Sequence, residues 1–266
     1  PTQREVSWFS VCCPLSVWVP RPSEPRLNLL RRQRSDLMKR LGLLGGMSWE
    51  SSVVYERHIN HEVRRMLGGV ASADLIIRSF NFAEIESLQS RGDWDGAGRL
   101  LAEAATELQV AGAEAIVLCT NTMHRVADAV EAAIDIPLLH LADATAERIR
   151  AAGISRIGLL GTRFTMEQDF YRGRLARHGI EVLVPDESDR ALVHQVIYEE
   201  LCVGEVRDAS REAYLRIIDG LAAAGAEGVI EGCTEIVMLV QQTHTDVSLF
   251  DTTAIHAQEA VARALA

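Results

Sequence analysis

Two short polar runs in this sequence have the residue types and the spacing of a proton-transfer site. Thr120-Asn121-Thr122 and Cys233-Thr234-Glu235 each stand just past a short apolar run, at 115–118 in one case and 227–231 in the other. An internal repeat relates them. Arg40-Leu41-Gly42-Leu43-Leu44-Gly45 matches Arg156-Ile157-Gly158-Leu159-Leu160-Gly161, offset by 116 residues. Ala111-Gly112-Ala113-Glu114-Ala115-Ile116-Val117 matches Ala224-Gly225-Ala226-Glu227-Gly228-Val229-Ile230, offset by 113. Two matches in order and nearly in frame indicate a duplicated unit. Carried forward, the second match pairs Thr120 with Cys233, and Cys119 with Gly232. Two facing halves would then present Thr120 and Cys233 to a shared cleft from opposite sides, which reaches both faces of a planar carbanion. The hydroxyls and amide that follow, at Asn121, Thr122, Thr234 and Glu235, suit a carboxylate at a helix N-terminus. The turns Gly45-Gly46-Met47-Ser48 and Gly161-Thr162-Arg163 add two more such termini, with Arg163 a candidate carboxylate partner. Helix capping alone also uses small polar residues; their convergence in two related halves favours a binding site.

The elements that would carry these residues alternate. Strand patterns fall at 41–44, 73–80, 115–118 and 136–139, with helices over 50–66 and 95–110. Pro137 marks a strand start or a sheet edge. The pattern restarts with a strand at 156–160, a helix at 166–178 and a strand at 180–184. Helices at 189–203 and 208–223, a strand at 227–231, a helix at 234–242, a strand at 247–250 and a helix at 253–265 complete it. Short apolar strands between helices predict an α/β fold with parallel sheets covered on both faces. Ligands bind beyond the carboxyl ends of such strands. The expected organisation is two similar doubly wound domains, related by a pseudo-two-fold axis, with the site in the cleft between them. Residues 38–140 form the first domain, completed by about 250–266, and 141–249 form the second.

Composition narrows the function. The chain has 266 residues, 48% hydrophobic, and a net charge of −10. Nucleic acid and anionic membrane surfaces are poor partners for such a charge. Residues 1–37 differ from the rest: they hold five of the seven prolines and are net basic. They read as a poorly ordered extension without a part in the chemistry. Cys119, Cys202 and Cys233 form no disulfide framework and no CxxC pair, which points to an intracellular, cytoplasmic protein without a structural zinc. Gly42-Leu-Leu-Gly-Gly lacks the GxGxxG spacing of a dinucleotide site. His58 and His61 stand at i, i+3 among charged neighbours with no third ligand evident, so no metal is expected. His124 and His256 lie nearer the cleft, as candidates for holding loops or tuning Cys233.

At these motifs the sequence resembles the aspartate/glutamate racemase family, and within it the broad-specificity amino-acid racemases. The resemblance covers nearly all of 38–266. It is carried by Gly42-Leu-Leu-Gly-Gly-Met-Ser-Trp, Cys119-Thr-Asn-Thr-Met-His, Gly158-Leu-Leu-Gly-Thr, Met166-Glu-Gln-Asp-Phe-Tyr-Arg-Gly-Arg-Leu and Glu231-Gly-Cys-Thr-Glu. It implies a cofactor-independent amino-acid racemase, a homodimer, with one cysteine per half moving the α-proton. Thiols suit this work because their ordinary pKa near 8.5 leaves an accessible thiolate. Cys233 keeps the second slot, while Thr120 stands where the first cysteine usually does. A hydroxyl is a far weaker acid than a thiol. Asymmetric catalysis is therefore expected, with Cys233 abstracting on its face, Thr120 serving the other, and slow or one-directional turnover. Acidic-substrate members often carry a Tyr followed four residues later by Lys. Here Tyr198 is followed by Cys202, which favours a neutral or broader substrate. Met47, Ser48, Thr162, Arg163 and Tyr198 join the substrate-binding candidates. Cys119, one residue from Thr120, should point to the opposite side. A single-cysteine decarboxylase or isomerase of the same superfamily, and a non-catalytic amino-acid-binding protein, are the alternatives.

Overall fold

The computed structural model describes residues 38–266; the expectation for residues 1–37 lies outside the described residues. Four strands form the first sheet: β1 (Leu41–Gly45), β2 (Leu75–Ser79), β3 (Ala115–Leu118) and β4 (Leu138–Leu139), in the order β2-β1-β3-β4. The second sheet repeats this order one strand for one. Its strands β5 (Arg156–Gly161), β6 (Glu181–Leu183), β7 (Val229–Gly232) and β8 (Leu249–Asp251) run β6-β5-β7-β8. All neighbouring strands are parallel. The α/β class with two parallel sheets is thus the one expected from the sequence. In each sheet the chain leaves the first strand to one side and returns on its other side. The gaps β1/β3 and β5/β7 are therefore switch points, where ligands bind beyond the strand ends.

Eleven α-helices of the described residues connect the strands. They are α1 (Trp49–Leu67), α2 (Phe82–Ser90), α3 (Trp94–Val110), α4 (Ala127–Glu131), α5 (Leu141–Ala151) and α6 (Arg163–Glu167). After them come α7 (Asp169–Arg177), α8 (Glu187–Glu199), α9 (Asp208–Ala223), α10 (Ile236–Leu239) and α11 (Thr252–Leu265).

Several boundaries differ from the sequence pattern, each for a local reason. The helix expected over 166–178 is two helices, because Gln168 adopts extended backbone (φ −89°, ψ 152°). The helix expected over 234–242 is the single turn α10. Val240 leaves it in extended conformation and packs into the core. The strand expected over 136–139 is reduced to β4, since Pro137 has no N–H to donate and joins only through its carbonyl, which accepts from Ile116 N–H. Helices α2 and α5 were not expected. Only Ile85 and Gln89 are buried on α2, and α5 is capped by a histidine, His140, which accepts from Ala142 N–H at 3.2 Å. Neither gives the usual helix signal of a clear apolar stripe behind a Ser, Thr, Asp or Asn cap.

The sequence repeat has an atomic meaning. Glu114 accepts the Arg40 backbone N–H at 2.8 Å, and Glu227 accepts that of Arg156 at 3.0 Å. Gly112 and Gly225, each turning the chain into the following strand, share φ +98°, a left-handed conformation that glycine adopts without strain. The same carboxylate thus pins the first strand of each sheet.

The core has three parts. Leu44, Ile116 and Leu118 pack against α3 on one face of the first sheet. Leu41, Leu43 and Val117 face the other way, onto Tyr55 and Ile59 of α1 and Ala257, Ala260 and Val261 of α11. This alternation is the strand period of two. The second sheet buries Ile157, Leu159, Val229 and Ile230 among its own helices. The chain therefore passes through the second sheet and returns, as α11, to cover the first.

Candidate active site

Four loops leave the two switch points and meet. Ser48, after β1, caps α1 by accepting Ser51 N–H at 3.3 Å. Its hydroxyl donates across the cleft to Glu235 Oε1 at 2.7 Å. The other oxygen, Glu235 Oε2, accepts from Cys233 Sγ at 2.8 Å. Thr122, after β3, shares a hydrogen bond with Thr162, after β5, at 3.0 Å between their Oγ1 atoms. Thr162 also caps α6 through Thr165 N–H. Asn121 Nδ2 donates to Thr252 Oγ1 at 3.1 Å, and that hydroxyl donates to the Glu231 carbonyl at 2.8 Å. Loops of the first sheet are thus tied to loops of the second by buried side chains. Such bonds are worth most where water is excluded.

Between these bonds lies a cavity of about 30 Å³. Met47, Thr120, Asn121, Thr122, Thr162, Tyr198, Cys233, Thr234 and Glu235 all line it. Ser48 reaches it through Glu235, and Arg163 sits outside it, in a larger cleft. Thr120 and Cys233, which follow β3 and β7, share this one cavity. Its lining also includes Ser51, Phe82, Gln89, Ile197 and Cys202. Phe82 and Gln89 escaped the sequence reading because their helix did. The capping pair Asn81 and Glu84, joined at 3.3 Å, was the signal that could have revealed it.

The electrostatics are one-sided. Among the described lining residues Glu235 is the one acid, and no Arg, Lys or His joins it. Burial first, and then the Glu235 carboxylate, push the Cys233 thiol well above its ordinary pKa. Burial, with Glu235 and Glu50 nearby, also raises Cys202. Cys119 is fully buried on the opposite side, among Leu41, Tyr55 and Val117, and its thiol is raised by burial alone. Asn121 Oδ1 is buried and finds no hydrogen-bond donor among the described residues.

Three neutral histidines sit behind Thr120. Leu141 N–H donates to His124 Nε2 at 3.2 Å, so that nitrogen carries the lone pair. Nδ1–H is then free to donate to the Thr120 carbonyl at 2.7 Å. His256 donates from Nε2 to the Leu139 carbonyl at 2.8 Å and accepts from Tyr55 O–H at 3.0 Å. The rings of His140 and His256 lie 4.5 and 5.9 Å from that of His124. Burial is the main cause holding all three below the ordinary imidazole value: His140 to about 3, His256 to about 4, and His124 well below it. The loop that carries Thr120 is in this way fastened to the start of α5.

Comparison with known proteins agrees with the α/β fold. The family model described as Asp/Glu/hydantoin racemase matches residues 44–260. A Yersinia pestis crystal structure, assigned provisionally as an Asp/Glu racemase, is 58% identical. It covers 86% of this chain and 100% of its own, with a TM-score of 0.81. The structure of an aspartate racemase homologue from Pyrococcus horikoshii OT3 is 35% identical, with a TM-score of 0.74, over 85% of this chain and 99% of that one. The broad specificity amino-acid racemase RacX of Bacillus subtilis (strain 168) is 24% identical over 174 residues, 65% of this chain and 75% of that protein.

Proposed function

We propose, for a chain that belongs to the Asp/Glu/hydantoin racemase family, a cofactor-independent amino-acid racemase in which Cys233 and Thr120 exchange the α-proton. The observation that carries this reading is the Cys233–Glu235 hydrogen bond of 2.8 Å in a cavity that Thr120 also lines. At rest the thiol keeps its proton, because burial and a neighbouring carboxylate both oppose a second negative charge. The α-ammonium of a bound amino acid offsets that charge. Glu235 is then placed to accept the thiol proton, leaving a thiolate to remove Cα–H. The buried, unpaired Asn121 Oδ1 supplies an acceptor for the ammonium. The hydroxyls of Thr122, Thr162 and Thr234 supply donors for a carboxylate whose charge grows as the carbanion forms. Thr120 donates a proton to the opposite face and is reprotonated from water, while the proton held by Glu235 is released to solvent. With no cation in the lining and Glu235 present, the cavity favours a neutral side chain over Asp or Glu. The homodimer, the cytoplasmic location and the division into domains at 38–140 (with 250–266) and 141–249 belong to the same proposal.

One expectation needs correction on thermodynamic grounds. The two enantiomers are equal in energy, so kcat/KM must be equal in both directions however unlike the two groups are. One-directional turnover is excluded, and the asymmetry moves into the exchange of the α-proton. In D2O, the enantiomer whose Cα–H faces Cys233 should take up deuterium faster than it inverts, because return through Thr120 is slow. Nuclear magnetic resonance over a panel of L- and D-amino acids measures both rates. Cys233→Ser should lower exchange by about 10²–10⁴-fold, as expected for loss of a positioned base. Absence of Cα exchange with every amino acid that binds would overturn the reading.

A further inference from the structure

Two cavities meet at a single hydrogen bond. The inner one, about 30 Å³, has room for one or two waters and falls far below the about 300–1,000 Å³ of pockets that enclose a ligand. Outside it lies a cleft of about 630 Å³, walled by Glu86, Ser90, Trp94, Arg163, Phe164 and His194. Gln89 and Tyr198 line both. Tyr198 OH donates to Gln89 Oε1 at 3.1 Å. Gln89 is 4% exposed, and the nitrogen of the same amide is held as well, Nε2 donating to Met123 Sδ at 3.0 Å. Tyr198 faces the outer cleft: its ring lies 4.8 Å from that of His194, in a series that continues through Phe164 to Trp94. This series crosses from α8 to α3 and forms the outer wall.

We infer that the outer cleft is the access route to Cys233 and that Tyr198, latched to Gln89, is its gate. A swing of the Tyr198 side chain about χ1 breaks one neutral hydrogen bond and joins the two cavities. Arg163, absent from the inner cavity, then has a role on this route: its guanidinium meets the carboxylate of an incoming zwitterion before the gate. The gate stands on geometry alone and does not depend on the reaction, so its test needs no turnover.

The test follows alkylation of the native protein by iodoacetamide and by the larger N-ethylmaleimide, with Cys233 and Cys119 resolved by peptide mass spectrometry. Tyr198→Phe and Gln89→Met should each speed Cys233 labelling about three- to tenfold, the range one net hydrogen bond allows. The gain should be larger for the larger reagent, with Cys119 unlabelled. Ser90→Trp, which fills the outer cleft, should slow Cys233 labelling at least about threefold, since it narrows the inferred route. Unchanged labelling in the two gate variants or in Ser90→Trp overturns the inference. So does an equal gain for both reagents, which signals altered thiol acidity, or a parallel gain at Cys119, which signals general opening.

Discussion

Glu235 acts on Cys233 in two opposing ways, and one substitution separates them. Its charge disfavours the thiolate, while its Oε2 accepts the thiol hydrogen bond along which the proposed proton transfer would run. Gln removes the charge and keeps the shape, and its amide oxygen is a far poorer proton acceptor. In Glu235→Gln, ultraviolet titration of the thiolate should show Cys233 ionising at lower pH than in the wild type. Turnover should nevertheless fall by about 10²-fold or more, the usual scale of a lost acid–base partner. A lower thiol pKa with full activity would show that Glu235 only repels, and that the proton leaves by another path. Ser48 shares this carboxylate from the first sheet, 2.7 Å away. The carboxylate on one side of the cleft is therefore oriented by a residue on the other.

At the scale of elements, the turn after β1 is the least forgiving part of the site. Gly46 has φ +83°, and a Cβ there would lie 2.3 Å from both the N and the O of Phe80. Phe80 N–H donates to the Gly45 carbonyl at 3.0 Å, so the ends of β1 and β2 are already locked together. Gly46→Ala should cost about 2–4 kcal/mol in denaturant unfolding, the combined effect of a left-handed backbone and a clash with main chain. A loss below about 1 kcal/mol would mean that the turn relaxes freely. The repeated runs from Arg40 and Arg156 were legible because strand burial leaves a period and a glycine turn leaves a letter. The pairing of Thr120 with Cys233 was legible because equal strand order places equal positions at both switch points. Gln89 was not legible: its role rests on packing against Met123 and on Tyr198, which is 109 residues away in sequence. The Ser48–Glu235 bond joins residues 187 apart and leaves no local pattern either. Arg163 was legible as a cation in a glycine turn, but the direction of a side chain at a helix start is fixed only by the fold.

Across the whole molecule, buried ionisable groups set opposite limits on stability. His124, His140 and His256 have folded pKa values below their unfolded values near 6.5. Their contribution is present above about pH 6.5 and is lost as pH falls from there. Glu231 is raised from 4.5 to about 8, mainly by burial and then by Asp251, its neighbour across the sheet. Its contribution is present below its unfolded pKa and is lost as pH rises toward 8. Three groups oppose one between these limits, so thermal stability should peak near pH 6.5. Glu231→Gln should flatten the alkaline side of that peak in melting curves taken from pH 4 to 9. A wild-type curve without an alkaline decline would remove Glu231 from the account. The return of α11 to the first sheet bears on synthesis. Tyr55, Val117 and Cys119 are covered by Ala257, Ala260 and Val261. On the ribosome all eight strands exist before α11 emerges, while the face of the first sheet that carries α1 stays only partly covered. The half made first is therefore complete only with the last helix, and a nascent chain halted before Thr252 would offer that partly covered face to chaperones.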